Sequence, residues 1–458
     1  MNFYEYIDSL QEKKIAVIGA GVSNQPLIAL LCEHGCHVTV CDLRTAADMG
    51  ELAEKLIQQG ATLHLGAAYL EGLEAFDLIF RTPGLLPLNP NLMHAKNAGV
   101  EITSEMELFF RFCPCKTVAI TGSDGKTTTS SIIAELLRAS GKTVHLGGNI
   151  GRPLLCDIPH MGADDICVLE LSSFQLHTMY CKPDVAVVTN VSPNHLDVHP
   201  DFEDYIESKK SIFMAQDKDC LLVLNADNEI TYGFAADANA KVLYFSRRHP
   251  IENGVYFSDG KIMRGNDIVI NIDEIRIPGM HNVENYMAAC CAVSGMVDDD
   301  IFRQVAREFS GVQHRLELIR THNGVKYIND SIASSPTRAV AGLRSFKAED
   351  SIILIAGGHD KHVPFDEMAE EVCKRCKALF LCGESAQAIA NAVKSAEAYY
   401  KAFPMFIYED WTENVLAASA FAENGDTVLL SPACSSFDFF KNFAERGNLF
   451  RKIVMELE

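Results

Sequence analysis

The chain has no apolar run near the roughly 18–20 residues that a membrane-crossing helix needs. Its opening stretch, MNFYEYIDSLQEKK, carries acidic groups and no apolar segment, so it does not read as a secretory signal. Basic charge is also short. A net charge of −21 makes nucleic acid a poor partner, since binding it requires a basic face to neutralise its phosphates. The same charge repels small anions at long range, so a site for a phosphorylated ligand must be locally basic or metal-loaded. What the fifteen cysteines lack is a framework: they are scattered through strand and helix patterns, as suits a reducing cytoplasm. The one CxxC, Cys373-Lys-Arg-Cys376, lies in the helical pattern FDEMAEEVCKRCKALF with no second pair at zinc spacing. Solenoid-period repeats and low-complexity tracts are missing as well.

What is present is strand–helix alternation over a length too great for one ordinary domain. KIAVIGAGV reads as a buried strand, NQPLIALLCEHG as a helix and HVTVCDLR as a second strand ending at Asp42, a βαβ unit. Gly19 and Gly21 fit a dinucleotide fingerprint, but its third glycine is absent, leaving NAD, another nucleotide or UDP-sugar, or plain strand–helix packing open. The pattern changes near Pro114. A second block runs through KTVAIT, ICVLELSSFQL, VAVVTNVSP and DCLLVLNAD, then short strands around VYFSDGKIMRGNDIVI with a hairpin turn at Asp259-Gly260, and closes with the helix NVENYMAACCAVSG. A third has strands at KYIND, SIILIAGG, ALFLCG and DTVLLSPA. The expected architecture is α/β with three domains, 1–112, 113–310 and 311–458.

The most specific motif is ITGSDGKTTT at 120–129. Between a strand and a helix, the backbone N–H groups of Gly122, Ser123, Asp124 and Gly125 and the positive helix end cradle phosphate oxygens. Lys126 reaches the β- and γ-phosphates, and the hydroxyl of Thr127 or Thr128 ligates magnesium. The loop is shorter than the usual one, since Ile120 stands where the first glycine belongs. Glu170 ends the apolar strand of VLELSSFQL, where a metal carboxylate is needed. His195 follows another strand in VVTNVSPNHLDVHP, in reach of metal or phosphate. On composition alone, Lys209 and Lys210 of YIESKKSIF read as a solvated basic face.

GSDGKTT, ELSSFQL, TNVSPNHLD, GMHNVENYMAA, QHRLE, YINDS, GGHDK and SPACSSFDFFKNFAERGNLF occur in this order, and together they resemble the Mur ligase family from about residue 15 to 450. ELSSFQL and the SPAC…KNF…RG stretch are similar to the branch that adds D-glutamate to UDP-N-acetylmuramoyl-L-alanine (UDP-MurNAc-L-Ala). The resemblance implies a cytoplasmic, monomeric ATP-dependent ligase of peptidoglycan synthesis, serving cell shape and division. Its N-terminal Rossmann-like domain would hold the UDP part, the central P-loop domain ATP, and the C-terminal domain would close over both and bring the amino acid. It also implies a carbamylated Lys209, holding with His195 a second Mg2+ beside the one on Thr127 and Glu170.

By the same resemblance, Val22, Ser23, Asp42 and Gly84 match the uracil crevice, Asn149 a UDP-sugar position, and Asn282 and Asn285 positions near adenine. Arg315 and Asp330 match nucleotide contacts on the closing domain. Lys361, Ser334, Ser436 and Phe443 match the D-glutamate positions. One departure stands out: where the family commonly has lysine after NDS, this chain has Ile332. Either Lys361 or Arg338 takes over its charge, or that lysine is dispensable. Three competing readings fit less of the sequence. A folylpolyglutamate-type ligase would lack the first βαβ unit. An NAD oxidoreductase leaves ITGSDGKTTT unexplained. A non-catalytic nucleotide-binding regulator would not need Thr127, Glu170, His195 and Lys209 together.

Overall fold

The computed structural model describes residues 1–177, 179–193, 198–347, 349–360 and 363–457. The chain divides into two compact units, Met1–Phe309 and Ser310–Glu458. Among the described residues the first carries sheets of five and nine strands and the second a sheet of six.

The first sheet contains β1 (Lys14–Ile18), β2 (His37–Asp42), β3 (Thr62–Leu65), β4 (Leu78–Phe80) and β5 (Glu101–Thr103). All pairings are parallel in the order β3-β2-β1-β4-β5. The order reverses between β1 and β4, which opens a crevice at the strands' carboxyl ends. The loop after β1 enters that crevice through Gly19, whose φ of +81° sets its α-carbon against Thr82 after β4.

The central sheet is built from β6 (Lys116–Thr121), β7 (Val144–Gly148), β8 (Ile166–Glu170), β9 (Val185–Val188), β10 (Leu221–Asn225), β11 (Lys241–Ser246), β12 (Gly254–Ser258), β13 (Lys261–Arg264) and β14 (Asp267–Asn271). Their order is β14-β13-β12-β11-β10-β9-β6-β8-β7. Only the pairs involving β13 are antiparallel. Asp259 (φ +46°) and Gly260 (φ +74°) form the expected tight hairpin between β12 and β13, positive φ at both positions matching the strands' twist. Buried on both faces, β6 and β8 are near-continuous apolar runs. One core joins the first and central sheets, with Ile7, Leu31 and Phe109 in the same cluster as Leu155, Leu169 and Phe213. The helices Lys126–Ala139 and Met280–Ala292 cover the central sheet's other face, through Ile132, Ile133, Tyr286 and Met287.

The second unit orders β15 (Glu317–His322), β16 (Val325–Asn329), β17 (Ser351–Gly357), β18 (Cys376–Cys382), β19 (Met405–Tyr408) and β20 (Asp426–Ala433) as β15-β16-β20-β17-β18-β19, parallel except for the β15–β16 hairpin. The CxxC differs from its sequence reading. The helix ends at Arg375, and Cys376 begins β18 opposite Ile352, because CKALFLC is a buried strand run rather than a helix end. No helix among the described residues is long and apolar enough to cross a membrane, and all fifteen cysteines are free.

Candidate active site

The strand order decides what meets at the phosphate loop. β6 lies between β8 and β9, so Gly122–Gly125 emerges with Glu170 on one side and Thr189-Asn190 on the other. Gly122 has φ +148°, and a β-carbon there would strike the Thr189 hydroxyl. Gly125 has φ +80° and packs its α-carbon on the Asn285 amide. Both glycines are therefore required by conformation and by space. Asn190 Oδ1 accepts from the Asp124 N–H at 3.0 Å, and the Thr189 hydroxyl donates to the Asp124 carbonyl at 2.6 Å. Ser123 shares its hydroxyl with Tyr205 at 3.0 Å. The Asp124 side chain faces solvent; its main chain is what the neighbouring strand clamps. Helix Lys126–Ala139 begins directly after the loop, aiming its positive end there. Thr127 and Thr128 occupy its first turn, half-buried.

Two lysines converge on one carbonyl. Lys126 Nζ donates to Gly122 O at 2.9 Å and to Ser123 O at 3.0 Å, while Lys209 Nζ donates to the same Gly122 O at 2.9 Å. Lys209 is not the solvated lysine its composition suggests. It is 1% exposed, its Nζ stands 4.5 Å from the Tyr205 ring centroid, and among the described residues no carboxylate pairs with it. Burial, then repulsion by Lys126, hold its amine well below the ordinary lysine range, favouring the neutral, nucleophilic form. Lys210, by contrast, pairs with Glu207 and Asp237.

Glu170, 1% exposed, ends β8 opposite Ile120. Its Oε1 accepts from Asn149 Nδ2 at 2.8 Å, and its Oε2 is buried without a partner. Leaving a buried carboxylate oxygen unpaired is costly, and such an oxygen beside a phosphate loop fits a divalent oxygen-seeking cation. Asn149, expected at the UDP-sugar, is thereby tied to the Glu170 carboxylate. Expected ligand His195 lies outside the described residues.

Asn282 and Asn285 sit on the helix packed against the loop helix. Asn285 Nδ2 donates to Asn282 Oδ1, and its Oδ1 accepts from the Thr129 hydroxyl, each at 3.2 Å. In the first-domain crevice, Val22, Ser23 and Gly84 are exposed. Asp42 is buried and engaged: it accepts from the Ala20 N–H at 2.8 Å and from Arg44 through both carboxylate oxygens at 2.9 and 2.8 Å. The Arg44 guanidinium is the main reason its carboxyl is held down at about 2.

In the second unit, the turn after β16 lies beside the end of β20. Asp330 accepts from the Ser431 hydroxyl at 2.8 Å and the Leu316 N–H at 3.2 Å, and burial raises its carboxyl to about 7. Arg446, 1% exposed, donates to the Ser331 hydroxyl at 3.1 Å, to the Ser331 carbonyl at 3.1 Å and to the Cys434 carbonyl at 3.0 Å. Ser331 in turn donates to the Phe443 carbonyl at 2.7 Å. Ser436 is buried, Ser334 half-buried, and Arg315 and Phe443 exposed. Arg338 Nη1 lies 3.4 Å from the Ile332 carbonyl, bringing a cation to the turn where the lysine is missing. Lys361 lies outside the described residues.

Sequence reading missed Thr189, Asn190 and Tyr205 at the loop and Arg446 under the second site. TN directly follows an apolar strand, but its place beside the loop depends on β9 pairing with β6, which no local pattern states.

Three family models match the chain: a Mur ligase MurD-like N-terminal domain over residues 13–104, a Mur ligase middle domain over 120–293 and a Mur ligase glutamate ligase domain over 314–434. It is 46% identical over 456 residues to a UDP-N-acetylmuramoylalanine–D-glutamate ligase of Clostridium novyi, covering 99% of each chain. A protein of the same description from Acetivibrio thermocellus is 47% identical over 461 residues, covering 99% of this chain and 98% of that one. Among solved structures, the UDP-N-acetylmuramate-alanine ligase of Thermotoga maritima shares the fold at TM-score 0.57 and 17% identity, covering 97% of this chain and 99% of that one.

Proposed function

The chain belongs to the Mur ligase family, and from that premise we propose that it couples ATP hydrolysis to joining D-glutamate to UDP-MurNAc-L-Ala in peptidoglycan synthesis. The acceptor rests on the full-length relatives; the phosphoryl-transfer chemistry rests on the unpartnered Glu170 oxygen beside the Lys126 loop. Carboxylate and amine do not condense in water at neutral pH, so the muramoyl-alanine carboxylate first takes the γ-phosphoryl group as an acyl phosphate. The neutral D-glutamate amine then attacks the acyl carbon and loses a proton, and collapse of the tetrahedral intermediate breaks the acyl C–O bond, expels phosphate and leaves the amide.

The loop N–H groups of Gly122–Gly125 hold the phosphates, and Lys126 follows the charge on the transferred group. Thr127 and Glu170 would hold one Mg2+, and His195 with Lys209 a second. Bound there, Mg2+ supplies Lewis-acid neutralisation of phosphate charge. For its part, Lys209 adds its neutral amine to carbon dioxide, losing one proton and becoming a carbamate, which converts a buried cation into an oxygen ligand. Asn282 and Asn285 take the adenine side, with Arg315 and Asp330 as nucleotide contacts. The UDP end falls to Val22, Ser23, Asp42, Gly84 and Asn149, and the amino acid to Ser334, Lys361, Ser436 and Phe443. The domains run 1–112, 113–310 and 311–458, and the enzyme works as a cytoplasmic monomer.

The deciding assay is phosphate release from ATP, expected only when UDP-MurNAc-L-Ala and D-glutamate are both present. Turnover indifferent to D-glutamate, or binding of NADH in place of ATP, sinks the reading. For the carbamate, Lys209→Ala is expected to lose activity and to recover part of it in bicarbonate or acetate. Full activity in that variant rejects the carbamate.

A further inference from the structure

The end of the central sheet away from the phosphate loop gathers sulphur. Cys113 follows the helix Glu105–Phe112, its N–H bonded to Phe109 O at 2.8 Å, and Cys115 directly precedes β6. Cys167 is the second residue of β8, level with Thr117 of β6 and His145 of β7. The Sγ atoms stand 3.7 Å apart for Cys113–Cys115, 3.8 Å for Cys113–Cys167 and 3.4 Å for Cys115–Cys167. A thioether closes in as well, Met161 Sδ lying 3.7 Å from Cys167 Sγ. Cys167 is fully buried, Cys115 nearly so and Cys113 half-buried, and none is in a disulfide. β6 separates this cluster from the loop by six residues, about 20 Å of strand, so it is no part of the nucleotide site.

We propose that Cys113, Cys115 and Cys167 form a binding site for a thiophilic d10 cation, Cu+ or Zn2+, at the junction of the first and central domains. The geometry is that of a ligand set. A sulphur triangle of these sides has a point about 2.1 Å from each vertex, close to the ~2.3 Å of a metal–thiolate bond, so an ion seats near the plane with little movement. The donors exclude hard cations, since Mg2+ and Ca2+ take oxygen. A soft set of thiolates with a thioether neighbour selects Cu+ and Zn2+, and the Met161 sulphur inclines it to Cu+. Among the described residues, the ligand atoms gathered within 4.8 Å of one another here are the three cysteine sulphurs alone, so His145, whose Nε2 meets Asp165 at 2.8 Å, stands outside the set. Half-buried Cys113 provides the side from which an ion enters. Occupied, the site ties the end of helix Glu105–Phe112 to β6 and β8 and steadies the native state by mass action.

The test uses the full-length protein, reduced and stripped of metal under anaerobic conditions, and titrated with Zn2+ alone and with Cu+ alone against a chromophoric chelator. One equivalent of at least one ion is expected to bind with a dissociation constant below about 1 μM. Half-buried Cys113 should then lose its reaction with a thiol reagent, and X-ray absorption should show a three-sulphur shell. Cys113→Ser, at the half-buried position, is expected to weaken binding at least tenfold while the melting temperature of the metal-free protein and the ligase activity stay at wild-type values. Cys115→Ser should remove the tight equivalent. Absence of a tight equivalent for both ions, or an equivalent unmoved by Cys113→Ser and Cys115→Ser, overturns the proposal. So does a Cys115–Cys167 disulfide in protein purified without added reductant and denatured under acid quench.

Discussion

At the carboxyl edge of the central sheet, Lys209 is buried with one main-chain carbonyl to bond, and Glu170 keeps a buried oxygen without a partner. At the carboxyl edge of the C-terminal sheet, Asp330 and Arg446 are buried just as deeply, but Ser431, Leu316, Ser331 and Cys434 meet them with hydrogen bonds. The first edge is left electrostatically incomplete and the second completes itself. Unmet polar demand is what a ligand fills, whereas a satisfied network holds a loop in place. If that contrast is right, substitutions at the central edge should cost activity and spare stability, and those at the C-terminal edge should do the reverse.

The sharpest break would come at Glu170. Glu170→Gln keeps the shape and the Asn149 partner, so ligation is expected to fall about a thousandfold while the melting temperature holds or rises. A variant that unfolds would place Glu170 with the C-terminal network instead. Arg446→Met should do the opposite, costing about 3 kcal/mol of stability in denaturant titration by stranding the carbonyls it serves. A loss no larger than that of a surface arginine would show its hydrogen bonds to be redundant.

Asp330 gives a pH test. Its folded carboxyl sits at about 7, above the unfolded value of about 4, so the native state binds the extra proton. Stability from this group is full below about pH 4 and is lost as pH rises through about 7, on the order of 2–4 kcal/mol in all. In Asp330→Asn that part of the decline should vanish, because Ser431 can accept as well as donate. An unchanged pH profile would show that Asp330 is ionised in the native state.

The smallest effect is expected at Lys209. Its folded amine is held below the ordinary range, so the penalty is absent above about pH 10.4 and grows as pH falls toward the folded value. In buffer free of carbon dioxide, Lys209→Met should be the more stable protein at pH 7, by about 1 kcal/mol, with the gap closing near pH 10.5. Equal stability at both pH values would mean that the burial cost is met elsewhere.

The same contrast explains what was legible in the sequence. Apolar runs marked β6, β8, β17 and β20, and ITGSDGKTTT with its flanking strand and helix marked the loop. β15 escaped because ELIRTH mixes charge into the strand, and β19 because MFIY is a short edge strand. Cys376 was read into a helix that stops one residue earlier. Glu170 could be named from its place at a strand end, but its unpartnered oxygen could not. Thr189, Asn190 and Arg446 act through strand order and long-range contacts, which local patterning does not carry. Lys209 shows the limit most clearly: the same KK reads as solvated by composition, yet its first lysine is enclosed and its second is ion-paired at the surface.

The core shared by the first two sheets bears on how such a chain can be rebuilt. Phe109, Leu31 and Ile7 pack with Leu155, Leu169 and Phe213 as one cluster, so a cut at residue 112 would open an apolar wound on both pieces. Recombining this chain with a relative at that seam would fail unless the two halves had co-adapted. In exchange experiments, the first 309 residues are one heritable cassette.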